Sequence, residues 1–178
     1  MKSDRLKMEA LCWLRYTKRY ELLCTEVQVG HGIADVYAIG PDWQNPTNTI
    51  EIETKISAGD LRRDFEDKSA KHFAFRESTK FTPNYFYFLV PEDLKDLALS
   101  LCNEHNKKYG VLVVGDGEFK WNKKVTFECL QVVQKASKLH KEPPHASIVR
   151  NAILRMGSEM CLLHKKTCKK EINETNTD

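Results

Sequence analysis

Charged and apolar residues alternate in the segment TIEIETKISAGDLRRDF, which runs from Thr49 to Phe65. Successive side chains of a strand point to opposite faces, so Glu51, Glu53 and Lys55 lie on one face and the isoleucines on the other. An isolated charge taken out of water is strongly disfavoured unless a metal ion or a ligand satisfies it. The segment is therefore a candidate functional site.

The strand IADVYAI, if it pairs with this segment, brings Asp35 onto the same face as Glu53. A hard cation such as Mg²⁺ or Mn²⁺ prefers carboxylate oxygens, and we expect Asp35 and Glu53 to hold it. Such a cation activates water and neutralises charge on a phosphate, while Lys55 orients the water or stabilises the developing negative charge. This is the chemistry of phosphodiester hydrolysis. The alternative for a lone E-x-K triplet is a surface strand with ordinary salt bridges.

Capping residues, periodicity and turn residues predict the elements that position this site. In order, they are a helix over 3–20, strands over 22–29, 33–39 and 48–56, a helix from Ser57 to Phe75, a strand over 84–90, a helix over 91–106, a strand over 111–114, a turn at 115–117, a strand over 125–133 and a helix over 147–165. The first three strands are joined too tightly for parallel crossovers. The pattern predicts an α/β fold with a mixed central sheet flanked by helices.

Composition predicts one domain, because 178 residues with 41% hydrophobic content can bury one core. We expect a single domain over 1–170 and a disordered polar tail over 171–178. Six cysteines without a CxxC pair, and no apolar N-terminal segment, predict reduced thiols in a cytoplasmic protein. No apolar run is long enough to cross a membrane.

Three runs of the sequence resemble a known family: TEVQVGHGIADVYAIG, TIEIETKISAGDLRRDFEDKSAKHF and NYFYFLVP. They are similar to the PD-(D/E)xK nuclease superfamily, and within it to the MmcB-like DNA repair branch. The resemblance implies a restriction-endonuclease-like αβββαβ core over about 2–114 and leaves 115–170 as a C-terminal extension of the same domain. It also implies that the second and third strands carry the metal ligands.

By this resemblance the acidic position of the family falls on Asp35, and its E-x-K falls on Glu53 and Lys55. Ala34 stands where the superfamily name has proline. Glu26 matches an acid that precedes the strand hairpin in the MmcB-like branch and adds a further candidate ligand. The extra acid Glu51 has no assigned role.

The helix that follows the E-x-K resembles the S-x-x-D-F-x-x-D-x-K helix of the same branch, with leucine at the position of phenylalanine. The matching residues are Ser57, Asp60, Asp64 and Lys68. Asp60, Asp64 and Lys68 recur every four residues and form one stripe. With Lys71 and His72 nearby, the stripe is either an exposed set of salt bridges or a flank of the metal site from which Lys68 and His72 reach phosphates. His31, between two glycines, is expected to be a turn residue.

Because the acidic centre repels phosphate in the absence of a cation, affinity for DNA must come from basic groups around it. The candidates are Arg62, Arg63, Lys68, Lys71, His72, Arg150 and Arg155, together with Lys165 and Lys166. The C-terminal members belong to a basic last quarter of the chain, which is either a polyanion-binding face or a solvated helix face. The net charge of +3 is too small to identify a partner by itself.

Together these features predict a Mg²⁺-dependent or Mn²⁺-dependent deoxyribonuclease that acts on DNA in repair, recombination or a phage context. The alternative is a non-catalytic module that binds nucleic acid or protein and retains the nuclease fold. The sequence leaves the choice between a monomer and a homodimer open.

Overall fold

The structure is a computed structural model that describes residues 3–40, 48–77, 80–122 and 125–175. Its helices are α1 (Ser3–Cys12), α2 (Ala58–Asp67), α3 (Ser69–Glu77), α4 (Lys95–His105) and α5 (Ala146–Thr175). Its strands are β1 (Leu22–Val29), β2 (Gly32–Ile39), β3 (Thr49–Thr54), β4 (Tyr85–Val90), β5 (Gly110–Asn122) and β6 (Val125–Gln134). The segment GPDWQNPTN between β2 and β3, which its Gly, Pro and Asn content predicts to be a loop, lies mostly outside the described residues.

The strands form one mixed sheet in the order β1-β2-β3-β4-β5-β6. The first three strands are antiparallel, β3, β4 and β5 are parallel to one another, and β6 returns antiparallel to β5. Each parallel connection contains helices, since parallel neighbours need a long crossover. The predicted α/β class with a mixed sheet flanked by helices is confirmed.

One face of the sheet is covered by α1. Leu6, Ala10 and Leu14 on this helix and the turn after it pack with Ile50 and Ile52, which are the apolar side of β3. All of these side chains are buried. The period of two in the sequence therefore assigns the apolar face of β3 correctly up to Ile52. Ile56 differs, because β3 ends at Thr54 and the Ile56 side chain is exposed.

The opposite face is covered by α2 and α4 over β4 and β5, and by α5 over β1 and β2. Leu61 and Phe65 of α2 pack with Phe86 and Phe88 of β4. Further along the sheet, α5 contributes Ile148 and Ala152 to a cluster on β1 and β2. Because helices cover both faces, the charged side of β3 is buried as deeply as its apolar side.

Two predicted helices are interrupted. The helix predicted over 3–20 is regular only from Ser3 to Cys12 and continues as a π-helical turn from Trp13 to Thr17. The helix predicted from Ser57 to Phe75 is divided into α2 and α3 at Lys68, whose φ of −97° and ψ of 35° are not helical. Ser57 does cap α2, and its side chain accepts a hydrogen bond from the Asp60 N–H.

Two predictions in the C-terminal third are wrong. The turn expected at Gly115–Gly117 is instead a continuation of β5, which pairs with β6 through a register shift between Val114 and Glu118. Extra residues inserted as a β-bulge let a strand pass through such a sequence. The last helix begins near its predicted start but continues to Thr175, so residues 171–175 are helical rather than part of a disordered tail.

No helix in the described part of the chain combines the length and the apolar character that a membrane span requires.

Asn84 is expected to be a major determinant of stability. This buried side chain accepts hydrogen bonds from the Thr49 backbone N–H at 2.8 Å and from its hydroxyl at 3.1 Å, and donates to the carbonyls of His140 and Glu142 at 3.0 Å each. Replacing Asn84 by Ala should lower the free energy of unfolding by about 2–3 kcal/mol, since buried partners lose their hydrogen bonds. Urea unfolding measures this loss. The exposed Gln131→Ala variant is the control, and an equal, small effect of both changes would contradict the prediction.

Candidate functional site

The predicted catalytic residues meet where β2 begins and β3 ends. Val36 pairs with Ile52, so by this register Asp35 lies at the level of Glu53 on the neighbouring strand. Lys55 follows β3 directly, and its backbone N–H donates to the Leu89 carbonyl of β4 at 3.0 Å. This hydrogen bond fixes the backbone at Lys55 against β4, one residue beyond the end of β3. Asp35, Glu53 and Lys55 are brought together as the alternation predicts.

Asp35 is fixed by contacts with the end of β3 and with α1. Its Oδ2 accepts hydrogen bonds from both the backbone N–H and the hydroxyl of Thr54, each at 2.8 Å. Its Oδ1 lies 3.2 Å from Lys7 Nζ. These contacts orient the carboxylate while leaving its side chain partly accessible.

Glu53 is a buried carboxylate surrounded by lysines. Its Oε1 lies 2.9 Å from Lys55 Nζ and 2.6 Å from Lys68 Nζ, and its Oε2 lies 3.5 Å from Lys71 Nζ. Burial raises the pKa of Glu53, and the opposing effect of the nearby lysines only partly offsets it. The ammonium groups around the Glu53 carboxylate therefore reduce, but do not cancel, the cost of burying it as an anion.

Asp64 of α2 forms ion pairs with the same three lysines. Its carboxylate oxygens lie 2.8 Å from Lys55 Nζ, 2.9 Å from Lys68 Nζ and 2.8 Å from Lys71 Nζ. Burial by itself would raise the pKa of Asp64, but the hydrogen bond with His72 and the charges of Lys71 and Lys55 outweigh burial and lower it well below its usual range. Asp64 is thus a permanent buried anion.

Lys55 is consequently a permanent cation. Burial is the largest single effect and acts to lower the pKa of Lys55, but the charges of Glu53 and Asp64 and their hydrogen bonds together outweigh burial and raise it. A lysine in this state stabilises negative charge and orients a polar group. It is not suited to accept a proton.

Lys71 and His72 lie inside the protein, contrary to the expectation that they contact phosphates. The imidazole of His72 lies 3.1 Å from Asp64 and 2.8 Å from the Tyr109 hydroxyl, and it stacks on Phe65. Lys71 Nζ lies over the ring of Phe86. Both residues are only 5% exposed, so neither belongs to a DNA-contacting surface.

Lys68, Arg62 and Arg63 remain accessible. The Lys68 side chain is 43% exposed, and both arginines of α2 are exposed. A cleft of about 260 Å³ is lined by three cationic and three acidic residues, which are Lys55, Arg63 and Lys68 with Asp60, Asp64 and Asp67. Lys55 thus borders the cleft, although its side chain is only 6% exposed.

Glu26 lies next to the site on β1, as the resemblance implies. The register of β1 and β2 places it opposite Asp35, and Lys7 forms ion pairs with both carboxylates. The backbone of Glu26 has a φ of 51°, a left-handed conformation that is uncommon for residues other than glycine. Such strained positions cluster at functional sites, and the side chain is exposed enough to reorient.

Glu51 belongs to a different pair, two residues before Glu53 on the same face of β3. It is fully buried, and its carboxylate lies 3.0 Å from Nε2 of His31. His31 is in the β1–β2 turn, as predicted, and the turn folds its side chain over the sheet. The structure therefore separates Glu51 from the residues around Asp35.

The C-terminal basic residues differ in their surroundings. Arg150 and Lys165 are exposed on α5, and the side chain of Lys166 lies outside the described residues. Arg155 donates from Nε to the Thr25 carbonyl at 2.8 Å and pairs with Glu159 at 3.2 Å, which attaches α5 to β1. Arg155 therefore has a structural contact in addition to its predicted role at DNA.

Two carboxylates are available for a divalent cation. Among the described residues, no group of three or more His, Cys, Asp or Glu side chains is arranged to hold a metal ion. Asp35 and Glu53 nevertheless fit Mg²⁺ or Mn²⁺, because these ions are usually held by one or two carboxylates, with waters and substrate phosphate as the other ligands. Asp35 is close enough to Glu53 for its charge to help raise the pKa of Glu53.

The ammonium groups of the site already have carboxylate partners without a cation. Among the described residues, the ion pairs join five acids to four lysines, which are Glu26, Asp35, Glu53, Asp60 and Asp64 with Lys7, Lys55, Lys68 and Lys71. A cation that reaches Asp35 and Glu53 must therefore compete with ammonium groups already in contact with them.

Sequence reasoning missed three contributors to the site. Lys7 and Thr54 contact Asp35, and Tyr109 anchors His72. No local pattern marks them, since each contact joins distant parts of the chain. Asp64 was marked by the resemblance and by its stripe with Asp60, but not as the centre of the lysine cluster.

No protein-family model matches the sequence, and no curated protein matches it. Among solved structures, the fold is similar to the SPO1766 protein of unknown function from Silicibacter pomeroyi, with a TM-score of 0.57. The two chains are 12% identical, and the similarity covers 96% of this chain and 94% of the other. At this identity the match supports the fold and carries no information on activity.

The buried His72 predicts a stability change near neutral pH. Burial lowers its pKa, and the hydrogen bond with Asp64 only partly offsets this. Below about pH 6.5 the unfolded chain binds a proton that the folded chain does not, so stability falls by up to about 1.4 kcal/mol for each further pH unit until the folded-state pKa is reached. Glu53, with its raised pKa, acts in the opposite direction. His72→Gln removes the first effect alone.

Urea unfolding of wild type and His72→Gln at about pH 7.5 and about pH 5.5 tests this. The change in the free energy of unfolding with pH gives the number of protons taken up on unfolding. The variant should be less stable at the higher pH because it loses two buried hydrogen bonds. Its stability should also decline less on acidification. Parallel pH profiles for the two proteins would show that His72 titrates alike in the folded and unfolded states.

Proposed function

We propose that this protein is a divalent-metal-dependent deoxyribonuclease. The observation that carries the proposal is the placement of Asp35 and Glu53 at one level of adjacent strands with Lys55 Nζ 2.9 Å from Glu53. Two acids and a permanently charged lysine, beside an accessible cleft, suit the hydrolysis of a phosphodiester.

Each residue has a distinct task in the proposed reaction. Asp35 and Glu53 would hold the cation, and Glu26 could add a third carboxylate after release from Lys7. When bound, the cation would polarise the phosphate and lower the pKa of the attacking water. Lys55 would donate hydrogen bonds to the negative charge that develops on the phosphate oxygens. Asp64 would keep the Lys55 ammonium in place during this change.

Recognition of DNA would rest on exposed basic groups around the cleft. Arg62, Arg63 and Lys68 lie on the segment that borders Lys55, and Arg150 and Lys165 lie on α5. Contacts from such groups to phosphates position the duplex and carry little sequence information. We therefore expect binding that depends on salt and on DNA shape more than on base sequence.

A second candidate is a binding module that retains the fold without turnover. The ion pairs of the site favour it, because Lys7, Lys55, Lys68 and Lys71 each contact at least one carboxylate without any ligand. A buried salt-bridge network needs no catalytic role to persist. The two candidates differ in whether DNA is cleaved and in whether Asp35 and Glu53 bind a cation.

Calorimetric titration with Mn²⁺ tests the cation site. Wild type should bind Mn²⁺, whereas Asp35→Asn and Glu53→Gln should each lose at least about tenfold in affinity because a charged ligand is removed. The matched control is Glu51→Gln, which removes an acid from the same strand and face outside the site. If the heats of all four proteins coincide, Asp35 and Glu53 do not bind the cation.

Replacing Lys55 by Met separates catalysis from binding. The change keeps most of the side-chain volume and removes the charge, so cleavage should fall by about 10²–10³-fold. DNA affinity in Ca²⁺ should change little, since Lys55 is one buried charge among several exposed ones. The assay incubates duplex, single-stranded and branched DNA with Mg²⁺, Mn²⁺ or EDTA. Cleavage by the variant at the wild-type rate would exclude a catalytic Lys55, and no cleavage by wild type under any condition would favour the binding module.

A further inference from the structure

Lys68 differs from the other lysines around Glu53 in its access to solvent. Its side chain is 43% exposed, whereas those of Lys55 and Lys71 are 6% and 5% exposed. It nevertheless places its Nζ 2.6 Å from Glu53 Oε1 and 2.9 Å from Asp64 Oδ2. The ammonium group of this partly exposed side chain thus contacts the Glu53 carboxylate, which the proposed function assigns to the cation.

The lysine and a divalent cation compete for Glu53. The Lys68 ammonium and the cation are both positive. If both contacted the buried Glu53 carboxylate, solvent would screen their mutual repulsion only weakly. Lys55 and Lys71 are too deeply enclosed to withdraw without leaving their charges buried and unpaired. Lys68 can withdraw, because its stem already lies at the surface.

The position of Lys68 in the chain also permits this movement. Lys68 lies between the end of α2 and the beginning of α3, and its backbone is not helical. Its side chain lines the cleft of about 260 Å³ with the cations Lys55 and Arg63 and with three aspartates, which are Asp60, Asp64 and Asp67. An ammonium group that leaves Glu53 stays beside two other cationic side chains, and together they can contact a phosphate once a bound divalent cation has added positive charge.

We propose that Lys68 is an exchangeable counter-ion. It neutralises Glu53 in the metal-free protein, leaves Glu53 when a divalent cation binds, and then contacts a phosphate of the DNA substrate. The exchange makes cation binding and phosphate binding favour each other. This inference rests on the proposed function, since it assigns a positioning role at the same site.

Mn²⁺ titration in the absence of DNA tests the exchange. Lys68→Met removes the competitor and should bind Mn²⁺ about tenfold more tightly than wild type, because an opposite charge in contact with a carboxylate has effects of this size. Arg63→Gln is the control, since it removes one positive charge from the same cleft. We expect it to stay within about twofold of wild type, because its charge lies at an exposed position where interactions are screened. Equal Mn²⁺ affinity of wild type and Lys68→Met, or equal gains in both variants, would overturn the proposal.

Two further measurements distinguish an exchangeable counter-ion from a merely structural lysine. Without metal, Lys68→Met should melt at a lower temperature than wild type, and saturating Mn²⁺ should raise its melting temperature by more. In Ca²⁺, its affinity for a fluorescent duplex should fall, and Lys68→Arg should restore that affinity. Opposite changes in Mn²⁺ and DNA affinity are the expected signature, and a loss of both would overturn the proposal.

Failure of this inference can be told apart from failure of the proposed function. If wild type binds Mn²⁺ in an Asp35-dependent way but Lys68→Met does not differ from it, only the counter-ion role of Lys68 is wrong. If wild type and Asp35→Asn give the same Mn²⁺ titration, the cation site itself is wrong and the exchange falls with it.

Discussion

The arrangement of the site depends on the ion pairs that the buried Asp64 carboxylate forms. This carboxylate contacts Lys55, which follows β3, and Lys71 and His72 of α3. Ammonium groups enclosed to this extent are tolerated only with a charged partner, and removing one partner of a buried pair costs about 3–5 kcal/mol. Asp64 thus joins α2, α3 and the end of β3 through one group. The position of Lys55 Nζ relative to Glu53 follows from that attachment.

Much of the fold could be predicted from local patterns. The strands β1 to β4 were located to within a few residues, because alternation and flanking turn residues mark them clearly. The failures occurred where tertiary pairing overrode local chemistry. The residues Gly115–Gly117 have the composition of a turn, yet they lie within β5 because β6 pairs with this strand on both sides of them. No glycine or proline marks the break at Lys68, so helical periodicity continued through it.

The site was predictable where it depended on strand geometry alone. Asp35, Glu53 and Lys55 follow from the period of two and the pairing of β2 with β3. The prediction placed Lys71 and His72 where they could contact phosphates. In the structure a new helix begins after Lys68, and both side chains are buried beside Asp64. Lys7 could not have been predicted, since its contact with Asp35 spans from α1 to β2. Long-range contacts of this kind require the tertiary structure.

The charge balance of the site connects stability with the proposed chemistry. Without a cation, the five acids joined by ion pairs exceed the four lysines by one charge, so the site does not attract a phosphodiester. Addition of a divalent cation would leave the site with one excess positive charge beside the cleft that Arg63 borders. The phosphate of DNA would then be attracted to a site that repelled it before. By thermodynamic linkage, DNA must in turn strengthen cation binding by the same factor. A site built in this way would assemble its complete catalytic set only when both the cation and the substrate are present.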